Sequence, residues 1–171
     1  MKNFNLSKEK IKNILDIVAT TSGCCKKKVA ALILHDGTNE ISVGSNITVG
    51  KVSRCEFHFQ SIYDKTEWLR PMHNLEGKHL NDFSTWITQG KGRELHREWS
   101  KENELHAEIV AIDGKKHVGS DMYITLEPCI NCAKAILQAG IKKVWFFERF
   151  EKNSGLGFLI SNDIKVEYLG E

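Results

Sequence analysis

Two short stretches carry residue types that can do chemistry together. "ELHAEIVAI", Glu104 to Ile112, sets His106 and Glu108 two residues apart among apolar side chains. A little further on, "LEPCINCAKAIL" sets Cys129 and Cys132 three apart, directly after Pro128. Thiols three apart at a helix start share one face of its first turn. The unpaired backbone N–H groups there favour thiolates, the form that binds metal. His106, on another helix, can supply a third ligand. Three protein ligands leave the fourth tetrahedral position of Zn²⁺ to water, the arrangement of a catalytic site. Zinc lowers the pKa of such a water to about 7, which makes hydroxide available at neutral pH. Glu108 then reads as a proton carrier, taking a proton from the water and passing it to a substrate. Two bland readings compete. A buried histidine beside a glutamate is ordinarily structural, and a C-x-x-C pair can be redox-active. The redox reading leaves His106 and Glu108 without a task.

These residues need elements to hold them. "SKEKIKNILDIVATTSG" places Ile11, Ile14, Leu15 and Val18 at helical spacing, with Ser7 as N-cap and Gly23 as a stop. "KVAALILH" is a nearly continuous apolar run, which suits a buried central strand. Asp36, Gly37, Thr38 and Asn39 turn the chain into "EISVGSN", a second strand of a hairpin. From Thr48 to about Asn103 the pattern is poor: this polar segment reads as an irregular insert over about 48–103. "NELHAEIVAI" predicts a helix ending at Asp113 and Gly114. "DMYITL" predicts a strand, "CINCAKAILQAG" a helix closed by Gly140, and "KKVWFFERF" and "IKVEYLG" two further strands. Alternating strands and helices point to one α/β sheet covered by helices on both faces. The expectation is a single domain over residues 1–171.

Bulk properties narrow the function classes. A chain of 171 residues with 41% hydrophobic and 27% charged residues is ordinary for a soluble globular protein and can bury one sizeable core. A formal charge of +2 demands neither a nucleic-acid nor an anionic-membrane partner. The N-terminus has no apolar signal-peptide core and no run is long enough to span a bilayer, so a cytoplasmic location is expected. In that reducing compartment five cysteines read as metal-binding or catalytic rather than disulfide-bonded.

His106-Ala107-Glu108 with Pro128-Cys129-Ile130-Asn131-Cys132 matches the H-x-E…P-C-x-x-C signature of zinc nucleobase deaminases. From these motifs outward the chain resembles the cytidine and deoxycytidylate deaminase superfamily, and within it the deoxycytidylate deaminases of T4-type bacteriophages. The likeness is strongest over "LHREWSKENELHAEIVAI" and "MYITLEPCINCAKAILQAGIKKV", and weaker over "SGCCKKKVAALI" and "ISVGSN". It implies a three-layer α/β/α fold with a five-stranded mixed sheet. It also implies hydrolysis of dCMP, or a 5-modified dCMP, to dUMP and ammonia, and a homo-oligomer, commonly a hexamer. The phage enzymes carry a second, structural zinc, and the positions here that match its ligands are Cys24, Cys55, His96 and Glu104. From spacing alone Cys24 and Cys55 read as buried free thiols and His96 as a surface residue; Cys25 is the nearest competitor for Cys24. Asn46 matches the asparagine that holds the sugar hydroxyl. Ala107 falls within the substrate-binding motif, and Phe150 stands where the family often has a tyrosine against the nucleotide.

Three departures bear on regulation. Ile47 and Val49 stand in a loop where regulated relatives carry a Gly and a Pro that help bind dCTP. The connection "DGKKHVGSD" is short for the family and lacks an arginine, and Val110 replaces a usual asparagine. Together they imply an enzyme without dCTP and dTTP control, or one with a shifted substrate. His73, His79 and His117 read as solvated, and Lys26, Lys27 and Lys28 as an exposed face. Trp68, Trp86 and Trp99 read either as anchors of the insert or as an oligomer contact. The alternative functions are deamination of cytosine or adenosine in a nucleic acid, which would call for a basic channel with aromatic platforms, and a non-enzymatic zinc scaffold, which has no need of Glu108.

Overall fold

The computed structural model describes residues 6–38, 40–68, 83–150 and 154–171. The chain forms two compact units. One comprises Met1–Ser22, Val29–Asn46 and Leu105–Glu171, and the other Gly23–Lys28 and Ile47–Glu104.

The first unit is built on a five-stranded sheet. Its strands are β1 (Ala30–Leu34), β2 (Ile41–Ser45), β5 (Asp121–Leu126), β6 (Lys143–Glu148) and β7 (Lys165–Tyr168), in the spatial order β2-β1-β5-β6-β7. β1 runs antiparallel to both β2 and β5, while β5, β6 and β7 are parallel. Parallel neighbours need crossover connections. These are helix α6 (Ile130–Ala139) between β5 and β6, and α7 (Leu156–Ser161) between β6 and β7. Helix α1 (Lys8–Ala19) lies on one face, where Ile11 and Leu15 pack on Ala30, Leu32 and Phe147. Helices α5 (Ala107–Ile112), α6 and α7 cover the other, packing Ala111, Ile136 and Leu159 on Ala31, Ile33, Met122, Ile124, Val144 and Phe146. Successive residues of β1 therefore enter opposite cores, which is why "AALIL" is apolar throughout rather than alternating. This is the expected three-layer α/β/α arrangement with a mixed sheet.

Several local expectations are corrected. α1 stops at Ala19, before Gly23, because the Thr20 and Thr21 hydroxyls donate to the Ile17 and Val18 carbonyls and close its last turn. The helix expected from Asn103 begins only at Ala107, since Glu104 and Leu105 form a short strand, β4, and His106 is its extended N-cap. Leu105 is accordingly an exposed residue, not a core one. Helix α7 had no sequence signal, because it is six residues long, Gly157 interrupts its apolar run and only Leu159 is buried. His117 is not solvated: it is 2% exposed, its Nε2 lies 3.0 Å from the Ile112 carbonyl, and its ring meets His35 edge-on at 4.8 Å. His73 and His79 lie outside the described residues.

α5 sits close against β2 because residue 44 is glycine. A Cβ there would lie 2.5 Å from the Ala107 carbonyl oxygen and 2.5 Å from the Ala111 amide nitrogen. Both are backbone atoms and cannot rotate away. Gly44→Val is therefore expected to cost about 1–3 kcal/mol by overpacking, read as a melting temperature lower by several degrees. A melt coincident with the parent's would mean that α5 can shift without penalty.

Among its described residues the second unit is largely helical, where an irregular insert was expected. Besides the short strand β3 (Ile47–Thr48), it holds helices α2 (Cys55–Trp68), α3 (Phe83–Thr88) and α4 (Gly90–Asn103). Its core is Cys24, Cys55, Phe59 and Ile87, with Cys25, Ile62, Phe83, Trp86 and Trp99 packed against them. These helices show no apolar periodicity in the sequence because their inward residues are aromatic, cysteine and histidine, spread thinly among polar ones. Trp86 and Trp99 thus anchor this unit internally; the Trp68 side chain is outside the description.

Candidate active site and metal centres

In the first unit, two turns from extended chain into helix place the donor atoms. His106 ends an extended segment at the start of α5, and Cys129 does the same for α6, with φ/ψ of −74°/154° and −73°/169°. Neither side chain caps its helix; the two meet each other instead. Cys132 follows on the first turn of α6, which Pro128 precedes and Gly140 closes at φ 83°. The Cys132 sulfur lies 3.3 Å from His106 Nδ1, and the Cys129 sulfur 3.6 Å from the same atom. All three donor atoms fall within 4.8 Å of one another. Zinc bonds of about 2.3 Å to sulfur and 2.0–2.1 Å to nitrogen give a tetrahedral S···N edge of roughly 3.5 Å, so the donors are already spaced to receive the ion. His106 is exposed, Cys129 half-buried and Cys132 buried, a site open on one side.

Electrostatics agree with that spacing. Cys129 is pushed down to about 3, by the hydrogen bond from the Cys132 thiol and, against some burial, by His106. Cys132 moves the other way, because it holds the shared proton for Cys129 and is itself buried beside Glu108. A metal ion would take over the role of that proton. Glu108, only 3% exposed in the first turn of α5, is raised above the usual carboxylate range by burial. Its own amide N–H, His106 and the Cys132 thiol pull it part of the way back. A buried carboxyl whose neutral form is favoured suits a group that must hold a proton and pass it on.

The other expected contacts of this unit are more mixed. Asn46 is buried at the end of β2, where its Oδ1 accepts from the Val29 amide and the Ser22 hydroxyl, each at 2.8 Å. With that oxygen committed, a contact to a sugar hydroxyl falls to the amide NH₂. Ala107 is fully buried beneath Gly44. Phe150 is exposed, and its backbone N–H donates to Glu127 Oε2 at 3.3 Å. Sequence reasoning passed over Glu127, a buried carboxylate two residues before Cys129, although its place in "LEPC" was a signal. It also passed over Ser22, buried against Asn46.

In the second unit a separate cluster forms. His96 of α4 lies with its Nε2 3.3 Å from the sulfurs of both Cys24 and Cys55, which are 4.0 Å apart. One Glu104 carboxylate oxygen completes a set of four donors within 4.8 Å of one another. His96 is 5% exposed, not a surface residue, and its ring packs on Phe59 at 5.1 Å. The Cys24 thiol is pushed up, first by its hydrogen bond with Cys55 and then by burial. Two thiols, an imidazole and a carboxylate form a closed donor set, in contrast to the open three-donor set of the first unit.

Comparison with known proteins gives a consistent picture. Residues 7–148 match the family described as the cytidine and deoxycytidylate deaminase zinc-binding region. The chain is 36% identical over 151 residues to the deoxycytidylate deaminase of Enterobacteria phage T4, covering 80% of this chain and 75% of that protein. It is 37% identical over 150 residues to the phage T2 deoxycytidylate deaminase, covering 80% and 77%. The fold is similar to that of the cyanophage S-TIM5 dCMP deaminase crystallised with dCMP and dUMP, with a TM-score of 0.60 at 22% identity over 96% of this chain and all of that one.

Proposed function

The chain belongs to the cytidine and deoxycytidylate deaminase family, and from that premise we propose that it hydrolyses deoxycytidylate to deoxyuridylate and ammonia. The observation that carries this reading is the meeting of His106, Cys129 and Cys132 on an open donor set, with the buried Glu108 hydrogen-bonded to Cys132. His106, Cys129 and Cys132 would hold the catalytic zinc. When bound, the ion lowers the pKa of water to about 7 and so supplies hydroxide at neutral pH. Glu108 takes the proton released in that ionisation and delivers it to N3 of the cytosine ring. It then carries the proton of the new hydroxyl on C4 to the departing amino group, which leaves as ammonia as the C4 carbonyl forms. Burial makes it a good donor, because its neutral form is favoured there. Asn46, Ala107 and Phe150 are the candidate substrate contacts, with Glu127 fixing the backbone of Phe150.

Cys24, Cys55, His96 and Glu104 would hold a second, structural zinc. The closed and buried character of the set supports this. The two units are read as one deaminase domain over residues 1–171, since the family match at 7–148 runs through both. A homo-oligomer of hexameric type and a cytoplasmic location complete the reading; no described helix is long and apolar enough to cross a membrane.

The test is ammonia release from dCMP beside deoxycytidine, dCTP and single-stranded DNA, without added activator. Turnover of dCMP, with deoxycytidine at least tenfold slower, is the expected result and establishes the phosphate requirement. Deamination confined to the DNA would replace the free-nucleotide reading with a polymer-editing one.

A further inference from the structure

The second metal centre contains one thiol more than its four donors require. Cys25 is the chain neighbour of Cys24, and its sulfur lies 3.4 Å from that of Cys55, closer than the 4.0 Å between Cys24 and Cys55. It does not belong to the four-donor set. Exposure separates the three cysteines further. Cys55 is 0% and Cys24 5% exposed, whereas Cys25 is only half-buried. A solute entering from water therefore meets Cys25 first, and the sulfur that Cys25 meets next is that of a metal ligand. We propose that Cys25 is an oxidative modification site that governs the second metal centre: on oxidation it forms a disulfide with Cys55 and withdraws that thiolate from the metal. The proposal rests on the reading of Cys24, Cys55, His96 and Glu104 as a zinc site.

The chemistry balances with a peroxide as the oxidant. The Cys25 sulfur attacks one peroxide oxygen, the O–O bond breaks, and Cys25 becomes a sulfenic acid while one water leaves. The Cys55 thiolate then attacks the sulfenic sulfur, the S–O bond breaks, and the oxygen departs as hydroxide, which takes a proton from solvent to become a second water. The two sulfurs lose two electrons in all, and one hydrogen peroxide becomes two waters. The two sulfurs, 3.4 Å apart, start close to the bond of about 2.05 Å that they would form. Afterwards Cys24, His96 and Glu104 keep one thiolate, one imidazole and one carboxylate. Such a set binds zinc more weakly than one with two thiolates. Cys24 and Cys55 are both shielded, so direct oxidation of that pair is disfavoured by access.

The experiment uses the full-length, zinc-loaded protein and its Cys25→Ser variant, each exposed to hydrogen peroxide with a chromogenic zinc chelator present. Peptide mapping after alkylation of the free thiols locates the bonds formed. The parent is expected to acquire a Cys25–Cys55 disulfide and release zinc in step with it. A dithiol reductant with added zinc should restore both thiols and metal. Cys25→Ser is expected to keep the parent's starting zinc content and melting temperature and to release zinc at least tenfold more slowly. Equal release from the variant, or a map showing Cys24–Cys55 with Cys25 unmodified, overturns the proposal. The untreated metal count separates the two layers. One zinc per chain before oxidation overturns the structural-zinc reading and the metal part of the proposal, while the map still decides the disulfide.

Discussion

Glu108→Gln is expected to lower turnover of dCMP by about 10²–10⁴-fold, the usual worth of a positioned acid–base group, while zinc content and nucleotide affinity stay at the parent's level. The amide has the shape of the carboxyl, carries no proton that it can give up, and takes none. The fold should tolerate it, because burial already favours the neutral form of residue 108. With zinc bound Cys132 is a thiolate, to which the glutamine NH₂ can donate, so the donor set of His106, Cys129 and Cys132 keeps its support. Steady-state kinetics with zinc analysis and equilibrium binding of dCMP make the check. A variant that turns over at the parent's rate would remove the proton-carrier role. One that loses zinc as well would show that residue 108 acts mainly by holding the ligands.

The second large effect is on stability. Cys55→Ser is expected to reduce zinc from two per chain toward one and to destabilise the protein by more than about 4 kcal/mol, a size reserved for losses such as that of a bound metal. For a chain of this length that is a fall in melting temperature of roughly 8–16 °C. Structural zinc in small peptides contributes about 10–16 kcal/mol. The smaller figure follows because the second unit keeps an apolar core of Phe59, Ile87, Trp86 and Trp99 when the ion is gone. If Cys55 were only a buried thiol, serine would cost about 1–3 kcal/mol for its desolvated hydroxyl, and the metal count would not move. Metal analysis beside a thermal melt therefore discriminates between the two.

How much of this was legible beforehand depended on sequence distance. Cys129 and Cys132 lie on one helical turn, and His106 and Glu108 flank one helix start, so their types and spacing stated a zinc chemistry directly. β1 was legible because burial on both faces leaves an unbroken apolar run, and β5, β6 and α6 because their patterns are strong. The insert was not. Its helices turn inward the aromatic, cysteine and histidine residues that no periodicity rule counts as a core stripe, so α2, α3 and α4 were invisible. Its four donors became a candidate set through family likeness alone, because Cys24 and His96 are 72 positions apart and only the folded chain brings them to 3.3 Å.

The sequence by itself determined the reaction class, since the ligand types, the carboxylate and their local spacing are covalent facts of two short segments. Only the tertiary structure decided which histidines are buried and where α5 begins. It also committed the oxygen of Asn46 to Val29 and Ser22, and brought Cys25 next to Cys55. Those outcomes depend on contacts between residues far apart in the chain, where packing and backbone hydrogen bonding outweigh any local preference.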